Sequence, residues 1–122
     1  METNNEKLGY LRSCMDRRYV HEARTVFEKM TGLGVTEYWH ESYPGGSALP
    51  TDETGERYAS EHGVSVWGWA AHGSGCGGQP GVSDEEIGKR LAEVVSEKKK
   101  MYSGDHYKIF STELRTTIEK VE

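Results

Sequence analysis

The chain holds two cysteines, and each stands beside groups that can bind or orient a metal ion. Cys76 lies four residues after His72 in the glycine-rich run AHGSGCGG, while Cys14 lies near the N-terminus. Glycines allow the backbone of such a run to fold so that imidazole and thiolate face one ion. Zinc binds both groups, and a catalytic zinc keeps three protein ligands and one open position. Cys14, His72 and Cys76 are therefore the candidate ligands of a Zn²⁺ ion.

A carboxylate and a guanidinium follow Cys14 at even spacing in the segment CMDRR. Side chains two residues apart in an extended chain project to the same side, so Asp16 and Arg18 can share a site with Cys14. In that arrangement Asp16 binds the ion directly or accepts a hydrogen bond from a water on it. A bidentate contact from Arg18 would keep the carboxylate ionised and oriented. The alternative is structural, with Asp16 capping the next helix and Arg18 in solvent.

The elements that position these residues follow from the hydrophobic pattern of the sequence. Apolar and β-branched runs predict four strands, at residues 8–13, 35–43, 64–71 and 107–112. Helical spacing predicts four helices, over residues 19–30, 51–62, 83–101 and 114–121. Because strands and helices alternate, we predict an α/β fold with a doubly wound, mainly parallel four-stranded sheet and helices on both faces. Cys14 and the loop at 72–76 then follow neighbouring strands, at the edge where such sheets bind ligands.

The glycine run has two other interpretations. Residues 73–78 satisfy the pattern G-x-G-x-x-G, which cradles dinucleotide phosphates when it follows the first strand of a fold. Here it follows the third predicted strand, and the acidic residues about 20 positions further on lie in a predicted helix. The simpler interpretation is structural: Cys14 is a buried core thiol, Cys76 is a small residue at the approach to a helix, and His72 is a cap at the surface.

Composition limits the classes of partner and location. A net charge of −5 without a dense basic cluster argues against a nucleic-acid ligand. No segment is apolar enough for a membrane span or a signal peptide, so we expect no membrane partner, a cytoplasmic protein and reduced thiols. The length predicts a single domain over 1–122. A hydrophobic fraction of 34% predicts a thin core that a partner subunit completes, in a homodimer or higher homo-oligomer.

These motifs together resemble the β-class carbonic anhydrases, and most closely the short carbonic-anhydrase-like proteins. The resemblance covers residues 8–95, roughly, and rests on CMDRRY at 14–19, on PGGS at 44–47, and on the histidine, cysteine and glycines at 72–78. One departure concerns the loop, where three residues separate His72 from Cys76 and the family pattern has two.

By resemblance, Cys14, His72 and Cys76 bind Zn²⁺, and Asp16 and Arg18 form a dyad that controls its fourth position. The resemblance implies a lyase that hydrates CO₂ to bicarbonate through a zinc-bound hydroxide, at a site buried in a dimer interface. In a resting state Asp16 itself would bind the zinc.

Three alternatives stay open. The same ligands would serve a hydrolase of COS or CS₂. A non-catalytic zinc protein of this fold would keep Asp16 as a permanent fourth ligand. A metal-free interaction domain would use none of these residues as ligands.

Four further residues have weaker assignments. The sequence allows His21 as a proton shuttle or a surface residue, and His40 as a pocket residue. Core packing is expected of Trp39. Gln79 is expected to contact substrate or to lie at the surface.

Overall fold

Alternating strands and helices form an α/β fold in the computed structural model, which describes residues 7–49 and 52–122. The strands are β1 (Leu8–Cys14), β2 (Tyr38–Tyr43), β3 (Val64–His72), β4 (Asp105–Ser111) and β5 (Thr116–Val121). The helices are α1 (Val20–Thr31), α2 (Thr54–Glu61) and α3 (Asp84–Met101), with a 3₁₀ turn at Gly46–Ala48. Within these described ranges, no helix combines the length and the apolar character that crossing a bilayer requires.

The sheet has five strands in the order β2-β1-β3-β4-β5. The first four run parallel, and β5 pairs antiparallel with β4. Strand β1 therefore lies beside β3, as predicted, and their carboxyl ends meet at one edge of the sheet. That edge carries Cys14 and His72, which are the last residues of the two strands.

The predicted helix over 114–121 is wrong, and the sheet has five strands where four were expected. The apolar positions at Leu114, Ile118 and Val121 fit helical spacing, but Leu114 is 92% exposed. In β5 the other two side chains point to opposite faces of the sheet and pack against different core clusters. Two threonines followed by isoleucine are β-branched and favour a strand once β4 offers an open edge.

The remaining elements keep their predicted order with shifted ends. Helix α1 ends at Thr31 and is followed by the C-cap residue Gly32, whose φ of 78° is the left-handed conformation that glycine adopts at low cost. Helix α3 begins after Ser83, whose Oγ accepts a hydrogen bond from the amide of Glu86 at 3.2 Å. The predicted second strand starts late, because residues 35–37 form a turn before Tyr38.

Two hydrophobic clusters cover the two faces of the sheet, so helices lie on both faces as expected. Alternate residues of β1 point to opposite sides, with Tyr10 in one cluster and Leu11 in the other. Helix α3 packs on the first face and α1 on the second. Aromatic side chains fill much of the first cluster, where the rings of Trp67 and Trp69 stack at 5.8 Å.

Candidate metal centre

The three predicted ligands come together at the carboxyl edge of the sheet. Cys14 ends β1, His72 ends β3, and Cys76 lies in the loop that leads to α3. One donor atom from each residue lies within 4.8 Å of the other two, and all three residues are buried. The group can hold a metal ion.

The spacing of the two sulfurs suits a tetrahedral ion. Both cysteines are free thiols, and their Sγ atoms lie 4.0 Å apart. Two thiolates bound to tetrahedral zinc, each about 2.3 Å from the ion, are about 3.8 Å apart. A zinc ion therefore fits between the sulfurs with a movement of a few tenths of an ångström.

The imidazole of His72 presents a lone pair to the same space. Its Nδ1 lies 2.7 Å from the carbonyl oxygen of Gly73, and a carbonyl only accepts, so Nδ1 carries the proton. The buried Nε2 then has a free lone pair, with no hydrogen-bond partner in residues 7–49 and 52–122. Burying such an atom unpaired costs about 1–3 kcal/mol. The ring of Tyr19, stacked at 4.6 Å, holds the imidazole plane.

Asp16 lies beside the group without belonging to it. Its Oδ2 is 3.4 Å from Nε2 of His72, while the set of mutually close donors comprises the histidine and the two cysteines. Hydrogen bonds from Arg18 lower the pKa of Asp16 to about 2, so its oxygens only accept. Two sulfurs, one imidazole lone pair and one carboxylate oxygen thus face each other, and this set of groups is suited to binding a cation.

Arg18 holds both oxygens of that carboxylate. Its Nη2 donates to Oδ2 at 2.8 Å and its Nε to Oδ1 at 3.1 Å. The same guanidinium donates to the carbonyl of Gly75 at 3.0 Å, which ties the dyad to the glycine loop. The side chain of Asp16 does not cap α1, whose N-cap residue is Tyr19.

The loop between His72 and Cys76 turns through left-handed backbone at Ser74 and Gly75, with φ of 54° and 84°. Ser74 is held from two sides, since its amide donates to Oδ1 of Asp84 at 2.8 Å and its Oγ accepts from the amide of Glu113 at 3.1 Å. Helix α3 starts at Asp84, beyond the glycines, so the run does not open a helix as a dinucleotide-binding loop does.

The turn after β2 packs directly against the site. A Cβ on Gly46 would lie 2.5 Å from the carbonyl oxygen of Ala70 and 2.7 Å from the amide of Cys14. A Cβ on Gly78 would lie 2.4 Å from the amide of Gly45. Glycine at these positions lets three segments of backbone close around the ligands.

The four other residues considered in the sequence lie in different environments. Gln79 is buried and not at the surface: its Nε2 donates to Sγ of Cys76 at 4.0 Å. Trp39 is 37% exposed on the edge strand β2, so its predicted core position is wrong. His21 is exposed, and His40 bonds through Nε2 to Oγ of Ser13 at 2.8 Å. No motif marks Gln79 as buried, although its partners Cys76 and Arg90 lie only three and eleven residues away in the sequence.

A Cys₂His group with one side open to a fixed carboxylate is suited to holding a metal and orienting a water molecule beside it. A scan of the chain against family models, a search of curated proteins and a search of solved structures each found no match.

Proposed function

We propose that the chain is a zinc-dependent lyase that hydrates CO₂ to bicarbonate at Cys14, His72 and Cys76. One observation supports an open site over a closed one. Asp16 lies outside the set of mutually close donors and is held by Arg18, and this arrangement supports a fourth position that is available to water. A permanent fourth ligand would be expected to lie within reach of the same ion as the other three.

Each group of the proposed site has a separate role in the reaction. Zinc held by two thiolates and an imidazole supplies a water nucleophile that is active near neutral pH. Asp16 stays ionised because Arg18 lowers its pKa to about 2, so it would accept a hydrogen bond from a water on the zinc and orient that water toward CO₂. The net reaction consumes CO₂ and water and yields bicarbonate and one proton.

Two alternatives use the same residues. A hydrolase of COS or CS₂ needs the same nucleophile, and substrate rates separate it from the hydratase. A non-catalytic zinc protein requires Oδ2 of Asp16 to move from its position against Arg18 onto the ion as a fourth ligand. The cytoplasmic location and the homodimer stay predictions, and the mass of the protein in solution tests the latter.

Stopped-flow CO₂ hydration with zinc-loaded protein tests the proposal. The wild type should exceed the uncatalysed rate, and Asp16→Asn should lower the rate about 10²–10⁴-fold while retaining its zinc. Asp105→Asn is the matched control, because Asp105 begins β4 at the opposite edge of the sheet. Full zinc occupancy with uncatalysed rates from neutral to alkaline pH would contradict the hydratase. Turnover of COS or CS₂ alone would indicate the hydrolase.

A further inference from the structure

We infer that Gln79 is a positioning residue for the metal ligand Cys76 and that Arg90 sets the direction in which its amide points. The inference rests on the metal site of the proposed function and goes beyond it. Gln79 is 3% exposed, and its backbone amide donates to the carbonyl of Cys76 at 3.0 Å. This tight turn brings the side chain back toward the sulfur, with Nε2 4.0 Å from Sγ.

The orientation of the amide follows from the chemistry of its second partner. Nη1 of Arg90 lies 2.9 Å from Oε1 of Gln79. A guanidinium has donors only, so the atom that faces it must be the amide oxygen. The NH₂ group of Gln79 is therefore the end that faces Cys76. Arg90 is itself steadied within α3 by Oε2 of Glu86 at 3.4 Å.

A donor aimed at a metal-bound thiolate has a definite role. Two thiolates in one buried site repel each other, and an N–H group directed at one sulfur offsets part of its charge. It also restricts the rotamer of the cysteine, so that the sulfur is held where the ion needs it. Groups that orient metal ligands in this way change metal affinity about 10–100-fold when removed. Gln79 and Arg90 form such a support for Cys76.

The test measures the metal and not the reaction. Gln79→Met removes the donor at similar volume, and Gln79→Glu keeps an oxygen for Arg90 but presents no N–H to the sulfur. Zinc affinity is measured by competition with a chromophoric chelator, and Co²⁺ substitution reports the thiolate-to-metal charge-transfer band. We expect affinity about 10–100-fold lower for Gln79→Met and a shift of the band to longer wavelength for both variants.

Variants of Arg90 separate orientation from packing. Arg90→Met should show part of the loss of Gln79→Met, and Arg90→Lys should stay near the wild type because it still donates to Oε1. Lys89→Met is the matched control, since it removes one charge from the exposed surface of the same helix.

Unchanged affinity and an unchanged Co²⁺ band in folded Gln79→Met would overturn the inference. If Gln79→Met loses its far-UV circular dichroism, the test uses Gln79→Glu instead. A Co²⁺ charge-transfer band at the wild-type wavelength in Gln79→Glu would also overturn the inference. Wild type that binds metal but does not hydrate CO₂ refutes the proposed function and leaves this inference standing. Wild type that binds neither Zn²⁺ nor Co²⁺ refutes both.

Discussion

In the proposed function, Arg18 keeps the fourth position of the candidate site open by holding Asp16. Both oxygens of Asp16 accept hydrogen bonds from Arg18, and Asp16 lies outside the set of mutually close donor atoms of Cys14, His72 and Cys76. The pairing also ties the residues after β1 to the glycine loop through Gly75. We therefore expect opening of the site to depend on this ion pair, which is partly exposed to solvent.

Arg18→Met should release Asp16 to bind the metal. We expect zinc to be retained while CO₂ hydration falls about 100-fold or more, since the position needed by water is filled. Metal analysis and stopped-flow rates on the same sample measure both quantities. Arg17→Met is the control, because Arg17 is an exposed neighbour of the same charge. Activity that survives in Arg18→Met would show that the dyad does not govern the site.

The two cysteines should also respond to oxidation in a way that depends on the metal. Their sulfurs lie 4.0 Å apart as free thiols, within reach of a disulfide after a small movement. Metal-free protein treated with a disulfide oxidant, such as oxidised glutathione, should lose both thiols to one intramolecular bond, and the oxidant is reduced to its thiol form.

Zinc-loaded protein should resist the same treatment, because the lone pairs of both thiolates are engaged by the ion. Free-thiol titration and non-reducing electrophoresis measure the outcome. Cross-linked dimers in place of an intramolecular bond would place the two sulfurs further apart than the structure does.

At this scale the sequence indicated the ligand types and the dyad, because cysteine, histidine and Asp-x-Arg carry recognisable chemistry. It did not indicate Gln79, whose side chain matters only because α3 brings Arg90 against it. The sequence also did not indicate that the ring of Tyr19, just before α1, stacks on the imidazole of His72. That contact depends on neighbours far apart in the chain.

At the scale of elements, the site is built where β1, β3 and two glycine turns converge. Both strand ends were predictable, since each apolar run stops at a residue of distinct chemistry. Strand β5 could not be predicted, because its apolar residues suit a helix as well as a strand. Pairing with the free edge of β4 is what favours the strand. The hairpin it forms also supplies Glu113, which helps to hold Ser74.

Gly46→Ala should damage both stability and metal binding. The position has φ of 57°, and a Cβ there would meet the backbone of Ala70 and Cys14 at 2.5 and 2.7 Å. Left-handed strain alone costs about 1–3 kcal/mol, and the clash adds to it. Gly81→Ala is the matched control, with φ of 77° and no atom within 4 Å of its Cβ among the residues described.

Denaturant unfolding and zinc affinity measure the two effects. Gly46→Ala should lose more unfolding free energy than Gly81→Ala, and it alone should bind zinc more weakly. Equal losses of unfolding free energy and of zinc affinity in the two variants would mean that the packing of the turn after β2 does not affect the site.

At the scale of the whole molecule, polar groups buried in the core set the pH range of stability. His106 accepts from Nε1 of Trp69 at 3.0 Å and donates to the carbonyl of Tyr102 at 2.9 Å, so it is neutral in the fold. Burial lowers its pKa below the ordinary value. Arg12, Glu56 and Lys98 form a second buried polar group, in which the two cations share one carboxylate.

Stability should therefore decline in mild acid. Between the lowered pKa of folded His106 and its ordinary value near 6.5, the unfolded chain binds the proton that the fold excludes. The contribution of His106 to the free energy of unfolding is therefore fully present above about pH 6.5, and it is lost as the pH falls below that value. His106→Gln keeps an acceptor for Trp69 and a donor for Tyr102 without titrating.

Denaturant unfolding from pH 5 to 7.5 should give His106→Gln a shallower dependence on pH than the wild type. Burial also lowers the pKa of His40, so some dependence should remain in that variant. If the free energy of unfolding depends on pH equally in the two proteins, protonation of His106 does not destabilise the folded protein.

X-ray absorption at the zinc edge of purified, reduced protein measures the ligand set of the bound metal. We expect one zinc per chain, bound by two sulfurs at about 2.3 Å, one imidazole nitrogen at about 2.0–2.1 Å and one further light atom. A shell of four sulfurs, a spectrum without imidazole scattering, or protein that holds no zinc would contradict it.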